Sequence, residues 1–560
     1  MASRLSHFHA ELHRRRVYRT AAVYCALGAG IIGVAEPLLD DPVWDRLKLP
    51  VLIIIILGLP VTLILAWLLQ VRREEPAGAD GTEPTDPPDS SGDPGLSIVV
   101  MPFDNLSPDP NDAYFSDGLT EEIITDLSFL RSLKVISRSS AMALKGTQKD
   151  VRTIGKELNV QYVLEGSVRK AGDDLRITAQ LIDANTDAHL WAERYDGRLK
   201  DVFGIQEEFS RAIVAALKIE LGAEEEHQLS ANPIGDPQAH DHFMKAMHEL
   251  RVASPEALER SLDNLQRARE IVGENAQVSA GMALVHFYYV DTMAGSTKDH
   301  LDKAEQLAWR SLKLDPRSSF SHHLLGRVER YRGTAGAAVR HFSQALRIDP
   351  NDTESLLWHG WMSSLFLGKP ALAREAAERL VELDPLTPFR HVPLAWIEWM
   401  ESRYDSALRH LDESLEECPE FRWPLFFKTQ LLARIGKTDE ALHAIALAAE
   451  QDPDDTVTAL CSLFRSALTV EAAVFTEQLT DSLRDLLWDD PECPFWLAGW
   501  CTLLGQKDEA LNWLERAIER GWINYPLLAQ DDPFLEGIRA EPRFVQLVNS
   551  IKPNWEEFEA

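Results

Sequence analysis

The sequence predicts a multidomain chain with a two-helix transmembrane hairpin, a small α/β domain with a mixed sheet, and an all-α superhelix of repeated helix pairs. Three observations carry this prediction. Two apolar runs lie near the start, a strand-like segment begins at Leu96, and prolines recur at positions 316, 350, 385, 419 and 453. Successive prolines are about 34 residues apart, and a fixed period in the thirties is typical of stacked helical hairpins.

Residues 1–73 are predicted to form a membrane anchor. One apolar run extends from about Val17 to Leu39, and a second extends from Pro50 to Val71. The second run holds about 20 uncharged residues, enough to cross a hydrocarbon core of about 30 Å. Arginines flank the outer ends of the pair, so both ends and the soluble domains are expected in the cytoplasm. In the alternative topology only the second run crosses, and the rest of the chain is exported to the periplasm.

The first apolar run carries Ala22, Ala26 and Gly30 on one helix face. Small residues let helices approach closely, so this face packs either against the second span or against a second copy, as a homodimer. Residues 74–95 form the next segment, which is acidic and rich in proline. This segment has no apolar face to bury, and it is therefore predicted to be a disordered linker.

Residues 96–222 are predicted to be the α/β domain. The apolar run at its start suits a buried strand, and the acidic residues from Asp117 onward favour the first turn of a helix. The predicted strands are 96–103, 134–138, 162–170, 175–182 and 189–195. Two helices are predicted to begin near Asp117 and Val151. A third helix is predicted over about 202–221. Together they predict a mixed sheet with three helices.

The repeats are predicted over residues 236–525, with a helical cap over 526–560. The repeat that begins at Ser319 keeps a set of small and apolar residues at fixed offsets. These are Leu325, Gly326, Ala338, Phe342, Ala345 and Pro350. The pattern resembles the tetratricopeptide repeat (TPR), and this resemblance implies a concave surface for protein or peptide partners and no chemistry of its own.

Several stretches of the α/β segment also resemble a known protein family. The stretches that carry it are Val99–Ser107, Tyr114–Glu122, Tyr162–Arg169, Ala179–Asp183, Leu190–Asp196 and, in the cap, Glu519–Leu528. They look like the bacterial TolB amino-terminal-like domain, also called FlgO-like, which precedes TPR arrays in many bacterial proteins. The resemblance implies a non-catalytic interaction role at the bacterial inner membrane. Some members of that group add an adenylate cyclase domain or a winged-helix domain.

Composition narrows the function classes further. The chain has 88 Asp plus Glu against 57 Lys plus Arg, which argues against nucleic acid as a partner. The acidic charge either favours a partner with a basic segment or only keeps a large soluble array dispersed. Five cysteines without a short-spaced pair predict neither a disulfide framework nor a zinc site. No phosphate loop, HExxH, GxSxG or kinase motif occurs. We therefore expect no catalytic residue, no cofactor, no metal and no enzymatic activity.

The TPR resemblance implies that the first helix of each repeat lines a groove. Tyr, Trp and Arg are the usual anchors of protein interfaces, so an aromatic groove with arginines at both ends is predicted to bind an extended peptide or a helix. The predicted groove residues are His323, Arg327, Arg330, Tyr331, Trp361, Phe389, Trp396, Trp399, Trp423, Phe426 and Arg434. In the alternative, half of these aromatics are core between repeats.

A pocket in the α/β domain is the second candidate site. Its predicted residues are Asp117, Glu121, Asp183, Trp191, Tyr195 and Asp196. The alternative assigns the acidic residues to helix capping and packs the aromatic residues against a helix. The sequence thus predicts a membrane-anchored scaffold that recruits protein partners. Its rival is a signalling sensor whose α/β domain binds a small ligand and relays this to a separate enzyme such as an adenylate cyclase.

Overall fold

The computed structural model describes residues 96–229, 233–292, 296–419, 421–451 and 456–558. The predicted membrane anchor (residues 1–73) and the predicted linker (residues 74–95) lie outside these ranges. Among the described residues, no helix combines the length and the apolar character that crossing a bilayer requires.

A mixed sheet forms the centre of the α/β domain. Its strands are β1 Ser97–Val100, β2 Asp104–Asn105, β3 Lys134–Val135, β4 Tyr162–Ala171, β5 Asp174–Asp183 and β6 Ala188–Arg198. The sheet order is β3-β1-β4-β5-β6, and β2 pairs with β4. Strands β1, β2 and β3 run parallel to their neighbours, whereas β4, β5 and β6 form an antiparallel meander. All four residues of β1 are buried, as a central parallel strand requires.

Five helices accompany the sheet in the described residues up to Leu229. They are α1 Ala113–Ser128, α2 Arg138–Ala143, α3 Val151–Leu158, α4 Val202–Ala216 and α5 Ala223–Leu229. The mixed sheet is confirmed, but the prediction had three helices and lacked α2, α5 and β2. The predicted element boundaries also differ, most clearly at α1 and β3. Helix α1 begins at Ala113, after a 3₁₀ turn capped by Asp109, so Asp117 is not part of its first turn. The predicted strand at 134–138 ends at Val135 because Ser137 caps α2 by accepting from the Ser140 N–H.

The second region is all helical. Its first helices are α6 Pro237–Leu250, α7 Pro255–Val272, α8 Ala276–Asp291, α9 Thr297–Leu314, α10 Ser319–Arg332, α11 Ala335–Ile348, α12 Thr353–Trp361 and α13 Pro370–Leu383. The next are α14 His391–Met400, α15 Tyr404–Glu417, α16 Trp423–Arg434, α17 Thr438–Gln451, α18 Thr456–Leu468 and α19 Ala472–Gln478. The last are α20 Asp481–Asp489, α21 Cys493–Leu503, α22 Lys507–Glu519 and α23 Pro542–Glu556. Helix α12 continues into a π-helical turn, Met362–Phe366.

The turn between the two helices of each hairpin has the same backbone conformation from repeat to repeat. Residues 333, 368, 402, 436, 470 and 505 all have positive φ, between 57° and 82°. They recur at the same interval as the prolines, and each follows the first helix of its hairpin. Four of the six are glycine, since glycine adopts this left-handed conformation without a steric cost. The structure thus has the TPR-like succession of helix pairs that the proline period predicts.

The α/β domain lies against the array through the aspartates that end two successive hairpins. The Ser128 hydroxyl at the end of α1 donates to Asp349 Oδ2 at 2.9 Å. The Ser137 and Ser140 hydroxyls both donate to Asp384 Oδ1. All five of these residues are buried. Because buried polar groups without partners destabilise a fold, these paired contacts fix the register of the α/β domain on the array.

The far end of the array folds back on its middle. Ile523 N donates to Phe366 O at 3.0 Å, and Asn524 Nδ2 donates to Leu365 O at 2.9 Å. Arg520 Nη1 donates to Tyr331 O at 2.9 Å. These contacts join segments that are far apart in sequence. From α11 to α23, one apolar cluster therefore runs through the inside of the array.

Candidate functional site

The structure corrects the predicted groove. Trp361, Trp396, Trp399 and Phe426 are buried and belong to the apolar cluster that runs from α11 to α23. Phe389 and Trp423 are half-buried against the same cluster. Each large aromatic side chain removes about 150–250 Å² of surface from water, so the inner face is more stable filled than open. These residues form core between repeats, as the alternative interpretation holds.

Helix α21 is what fills the inner face. The ring of Trp496 lies 6.1 Å from that of Trp396 and 6.4 Å from that of Trp399, and Trp500 lies 6.2 Å from Phe426. The groove predicted from single repeats is thus occupied by a later part of the same chain. The repeat period describes neighbouring hairpins and holds no information about contacts between distant ones.

The predicted groove arginines are also paired within the chain. Arg434 is buried and donates from Nε and Nη2 to Asp532, with both distances 3.2 Å. Arg327 Nη2 and the Tyr331 hydroxyl donate to Asp291 at 2.9 and 2.8 Å. Two further groove residues, His323 and Arg330, are buried. His323 Nδ1 lies 3.0 Å from the Ser355 hydroxyl.

The predicted α/β pocket does not assemble, because its acidic residues lie in separate places. Asp117 and Glu121 lie on α1 and form ion pairs with Arg251, at 3.3 and 2.6 Å, where α6 ends. Asp183 accepts from backbone N–H groups in the β5–β6 turn. Asp196 is exposed and lies 2.5 Å from Arg176 on the neighbouring strand. In each of these three places the carboxylates form contacts within the chain that stabilise the fold.

The aromatic pair of that prediction packs against a helix instead. Trp191 meets Phe209 of α4 edge-on, with ring centroids 5.2 Å apart, and Tyr195 lies 5.8 Å from the same ring. The Tyr195 hydroxyl donates to Glu193 at 2.7 Å. Burial and then this hydrogen bond raise the pKa of Tyr195 well above its usual range. The pair therefore belongs to the core beneath the sheet.

A different cleft, of about 620 Å³, lies on the sheet beside the loop that joins α2 to α3. Glu165 and Ser167 on β4 and Gln180 on β5 line its floor, and Lys149 and Arg194 lie at its edge. Gln180 Nε2 donates to Glu165 at 3.1 Å, so the floor is a hydrogen-bonded polar layer. The alternation of buried and partly buried residues in β4 and β5 turns these polar side chains away from the core. Such a cleft suits a small polar ligand.

Sequence reasoning missed a cluster on the hairpin of α14 and α15. His391 begins α14, and His410 and Glu413 lie on one face of α15. Glu413 Oε2 is 3.4 Å from His391 Nδ1 and 3.3 Å from His410 Nδ1. Burial and then the charge of Arg390 lower the pKa of His391 to about 4, so its imidazole is neutral at pH 7. The sequence signal is the pair of histidines His391 and His410 on the two helices of one hairpin, which the expectation of no metal ligand ignored.

Comparison with known proteins gives a family match for the α/β domain. The family model of the HilA/YgeH-like transcriptional regulator, second domain, matches residues 95–209. This match covers about a fifth of the chain, so it does not assign the whole protein to a family. The TolB-like resemblance stays a prediction.

A curated relative corrects the expectation about enzymatic activity. The chain is 38% identical over 270 residues to a Rhizobium meliloti (strain 1021) protein named "Putative adenylate cyclase 3". The match covers 47% of this chain and 44% of that protein, so this chain spans less than half of the length of its relative. The expectation of a chain without enzymatic activity is contradicted by this relative, whose name is that of an enzyme.

Solved structures resemble the helical region only loosely. Pseudomonas aeruginosa PilF is 17% identical, with 40% of this chain and 95% of PilF aligned at a TM-score of 0.32. A tetratricopeptide repeat protein from Parabacteroides merdae is 13% identical, with 56% of this chain and 99% of that chain aligned at a TM-score of 0.34. TM-scores this low do not show a common fold, and the TPR-like character rests on the hairpins and turns described above.

Proposed function

We propose that this chain is a membrane-anchored signalling scaffold that recruits protein partners and works in a system with adenylate cyclase chemistry. Arrays of helical hairpins are typical of proteins that bind other proteins. The relative named "Putative adenylate cyclase 3" supports the cyclase connection, and the family match to part of a transcriptional regulator supports a role in signalling. The net charge of −31 favours partners with basic segments.

One observation carries the proposal: the α/β domain is fixed to the middle of the array by buried hydrogen bonds. Asp384 accepts from two serine hydroxyls of the α/β domain, and Leu386 N donates to Ser140 Oγ at 2.9 Å. Asn351 Nδ2 adds a bond to Ser128 O at 2.7 Å. A partner that binds the array therefore binds a unit that also includes the docked α/β domain. Such a module can pass an event at one domain to the other.

The test uses two aspartates that have equivalent positions in sequence and different surroundings. Asp384 and Asp315 each precede the proline that ends a hairpin, but Asp384 is buried against the α/β domain and Asp315 is exposed. We expect Asp384→Ala to release the α/β domain and Asp315→Ala to have no such effect. Cells carrying the wild type, either variant or a deletion are compared for cyclic AMP and for the proteins captured on the detergent-solubilised chain.

The expected result is that the deletion and Asp384→Ala both change cyclic AMP, and that Asp384→Ala loses a partner that is captured on the wild type, whereas Asp315→Ala matches the wild type. Purified chain incubated with ATP and Mg²⁺ shows whether turnover belongs to this chain or to the partner. Cyclic AMP that is unchanged by the deletion, together with no turnover by the purified chain, would overturn the cyclase connection.

The membrane part of the proposal has its own test. Two arginine-flanked apolar runs support a two-span anchor with both ends in the cytoplasm. A C-terminal reporter that is active on one side of the bacterial inner membrane distinguishes this from the one-span topology. Activity of a periplasmic reporter at the C-terminus would contradict a cytoplasmic array.

The second candidate function, a sensor, is favoured by the cleft of about 620 Å³ on the sheet. In this case the α/β domain binds a small polar ligand and the array relays the binding. A thermal-shift screen of the full chain against nucleotides tests it, because a ligand of the folded state raises the midpoint of unfolding. Arg194, at the edge of the cleft, is 62% exposed, so Arg194→Ala should remove the shift without unfolding the domain.

A further inference from the structure

We propose that His391, His410 and Glu413 bind a divalent transition metal ion of the zinc class. The ligand atoms of the three side chains all lie within 4.8 Å of one another. Two ligands held at about 2.0–2.1 Å from a tetrahedral Zn²⁺ lie about 3.3 Å apart. The two distances from Glu413 to the imidazoles, 3.4 and 3.3 Å, are close to that separation.

The nitrogen atoms of the cluster lack the partners that a purely structural role would provide. The side chain of His391 is 9% exposed, and neither of its ring nitrogens has a hydrogen-bond partner among the described residues. The same is true of His410 Nδ1. Glu413 Oε2 lies near both Nδ1 atoms without forming a hydrogen bond to either. Because buried polar atoms are nearly always paired, two unpaired Nδ1 atoms beside one carboxylate point to a shared ligand.

The type of ligand follows from the donor set. Imidazole nitrogen suits Zn²⁺, Ni²⁺ and Cu²⁺, whereas Mg²⁺ and Ca²⁺ prefer oxygen ligands. Three protein ligands leave one tetrahedral position for water or for a group on a partner. Glu413 is 45% exposed, so the cluster is open to solvent on the side of Glu413. Glu417 Oε1 lies 3.8 Å from His391 Nε2, the side from which a carboxylate orients a metal-ligating imidazole.

An equivalent pair elsewhere in the array supplies the control. His322 and His341 occupy, two repeats earlier, the positions that His391 and His410 occupy in their hairpin, and the Nδ1 atoms of the earlier pair are 3.1 Å apart. Gln344 occupies the position that corresponds to Glu413. That pair has two imidazoles and no carboxylate, so it should bind the ion more weakly.

Zn²⁺ binding is measured on the untagged full chain after treatment with EDTA, by competition with a chromophoric chelator, in the presence of excess Mg²⁺. We expect one tight equivalent. Glu413→Gln and His410→Gln should each weaken it by more than about 100-fold, beyond the roughly 10- to 100-fold effect of an outer-shell residue. His341→Gln should leave the tight equivalent unchanged. The Co²⁺ form should show the visible absorption of a tetrahedral site, which both variants lose.

Both substituted side chains are partly exposed, so the variants should keep the fold, and circular dichroism checks this. Tight Zn²⁺ binding that survives in Glu413→Gln and His410→Gln would overturn the proposal, as would the absence of a tight equivalent in the wild type. Zn²⁺ should also raise the midpoint of thermal unfolding of the wild type and not of Glu413→Gln. These readouts do not depend on cyclic AMP, so the metal site is tested independently of the proposed function.

Discussion

The first and last hairpins of the array are built on different principles. From α6 to α10 the buried apolar residues divide among small clusters, each confined to neighbouring helices. From α11 to α23 most of them belong to one cluster that crosses the inside of the array. Both regions share the hairpin, so the period alone does not decide the architecture. The size of the side chains that face inward decides whether an array remains open or fills its own groove.

The composition agrees with this difference. Eleven of the 15 tryptophans lie between Trp358 and Trp555, whereas Trp309 is the sole tryptophan between residues 237 and 357. Aromatic side chains bury large areas and can span the distance between non-adjacent hairpins. The contacts of Trp496 with Trp396 and Trp399 are of this kind.

The largest expected effect comes from removing a tryptophan from each region. Trp396 is 1% exposed and lies in the continuous cluster, whereas Trp309 is 48% exposed. Trp396→Ala should lower the free energy of unfolding by about 3–5 kcal/mol, because it leaves a cavity. Trp309→Ala should change it by less than about 0.5 kcal/mol. Guanidinium unfolding of both variants measures the difference. Equal effects would mean that the inner face is not filled in solution.

A second prediction concerns the contact that closes the array. Gly333 and Gly436 end the first helices of equivalent hairpins with φ of 79° and 82°. A Cβ at Gly333 would lie 2.1 Å from Glu519 O, whereas a Cβ at Gly436 has nothing within 4 Å. Both substitutions by alanine carry the cost of a left-handed residue, about 1–2 kcal/mol. Gly333→Ala should cost about 1–3 kcal/mol more, because the backbone must shift.

The measurement for this pair is thermal unfolding combined with hydrogen exchange. In Gly333→Ala, amides around Ile523 and Asn524 should exchange faster, since their partners in the π-helical turn move away. Gly436→Ala should leave that exchange as it is in the wild type. If both variants lose the same stability and exchange alike, the fold-back contact does not hold the array closed.

The sequence predicted what is local and missed what is distant. The proline period placed the hairpins, and the strand-like runs placed β4, β5 and β6 close to their observed ends. The closing of the array depends on pairs such as Arg434 and Asp532, which lie on widely separated segments. No sequence pattern in either segment predicts that the two segments are in contact. The His391 cluster was missed although it lies within one hairpin, because its side chains come from two helices and form no short sequence motif.

The last prediction concerns Asp349, which follows α11 at the boundary between the array and the α/β domain. Burial, followed by the charge of Asp352, raises the pKa of Asp349 to about 7. An unfolded aspartate titrates near 4, so between about pH 4 and 7 the folded chain holds a proton that the unfolded chain has lost. The contribution of this group to stability is therefore complete below about pH 4 and is lost as the pH rises through 7.

Replacing Asp349 by a neutral residue should remove this dependence. In the wild type the group lowers the free energy of unfolding by up to about 1.4 kcal/mol per pH unit in this window, and Asp349→Asn should show a slope smaller by that amount. Asp315→Asn is the matched control, since Asp315 has the equivalent position one repeat earlier and is exposed. Denaturant unfolding from pH 4 to 8 measures the slopes. If Asp349→Asn and Asp315→Asn have the same slope, Asp349 is not buried against Ser128 in solution, and the α/β domain is not docked at this boundary.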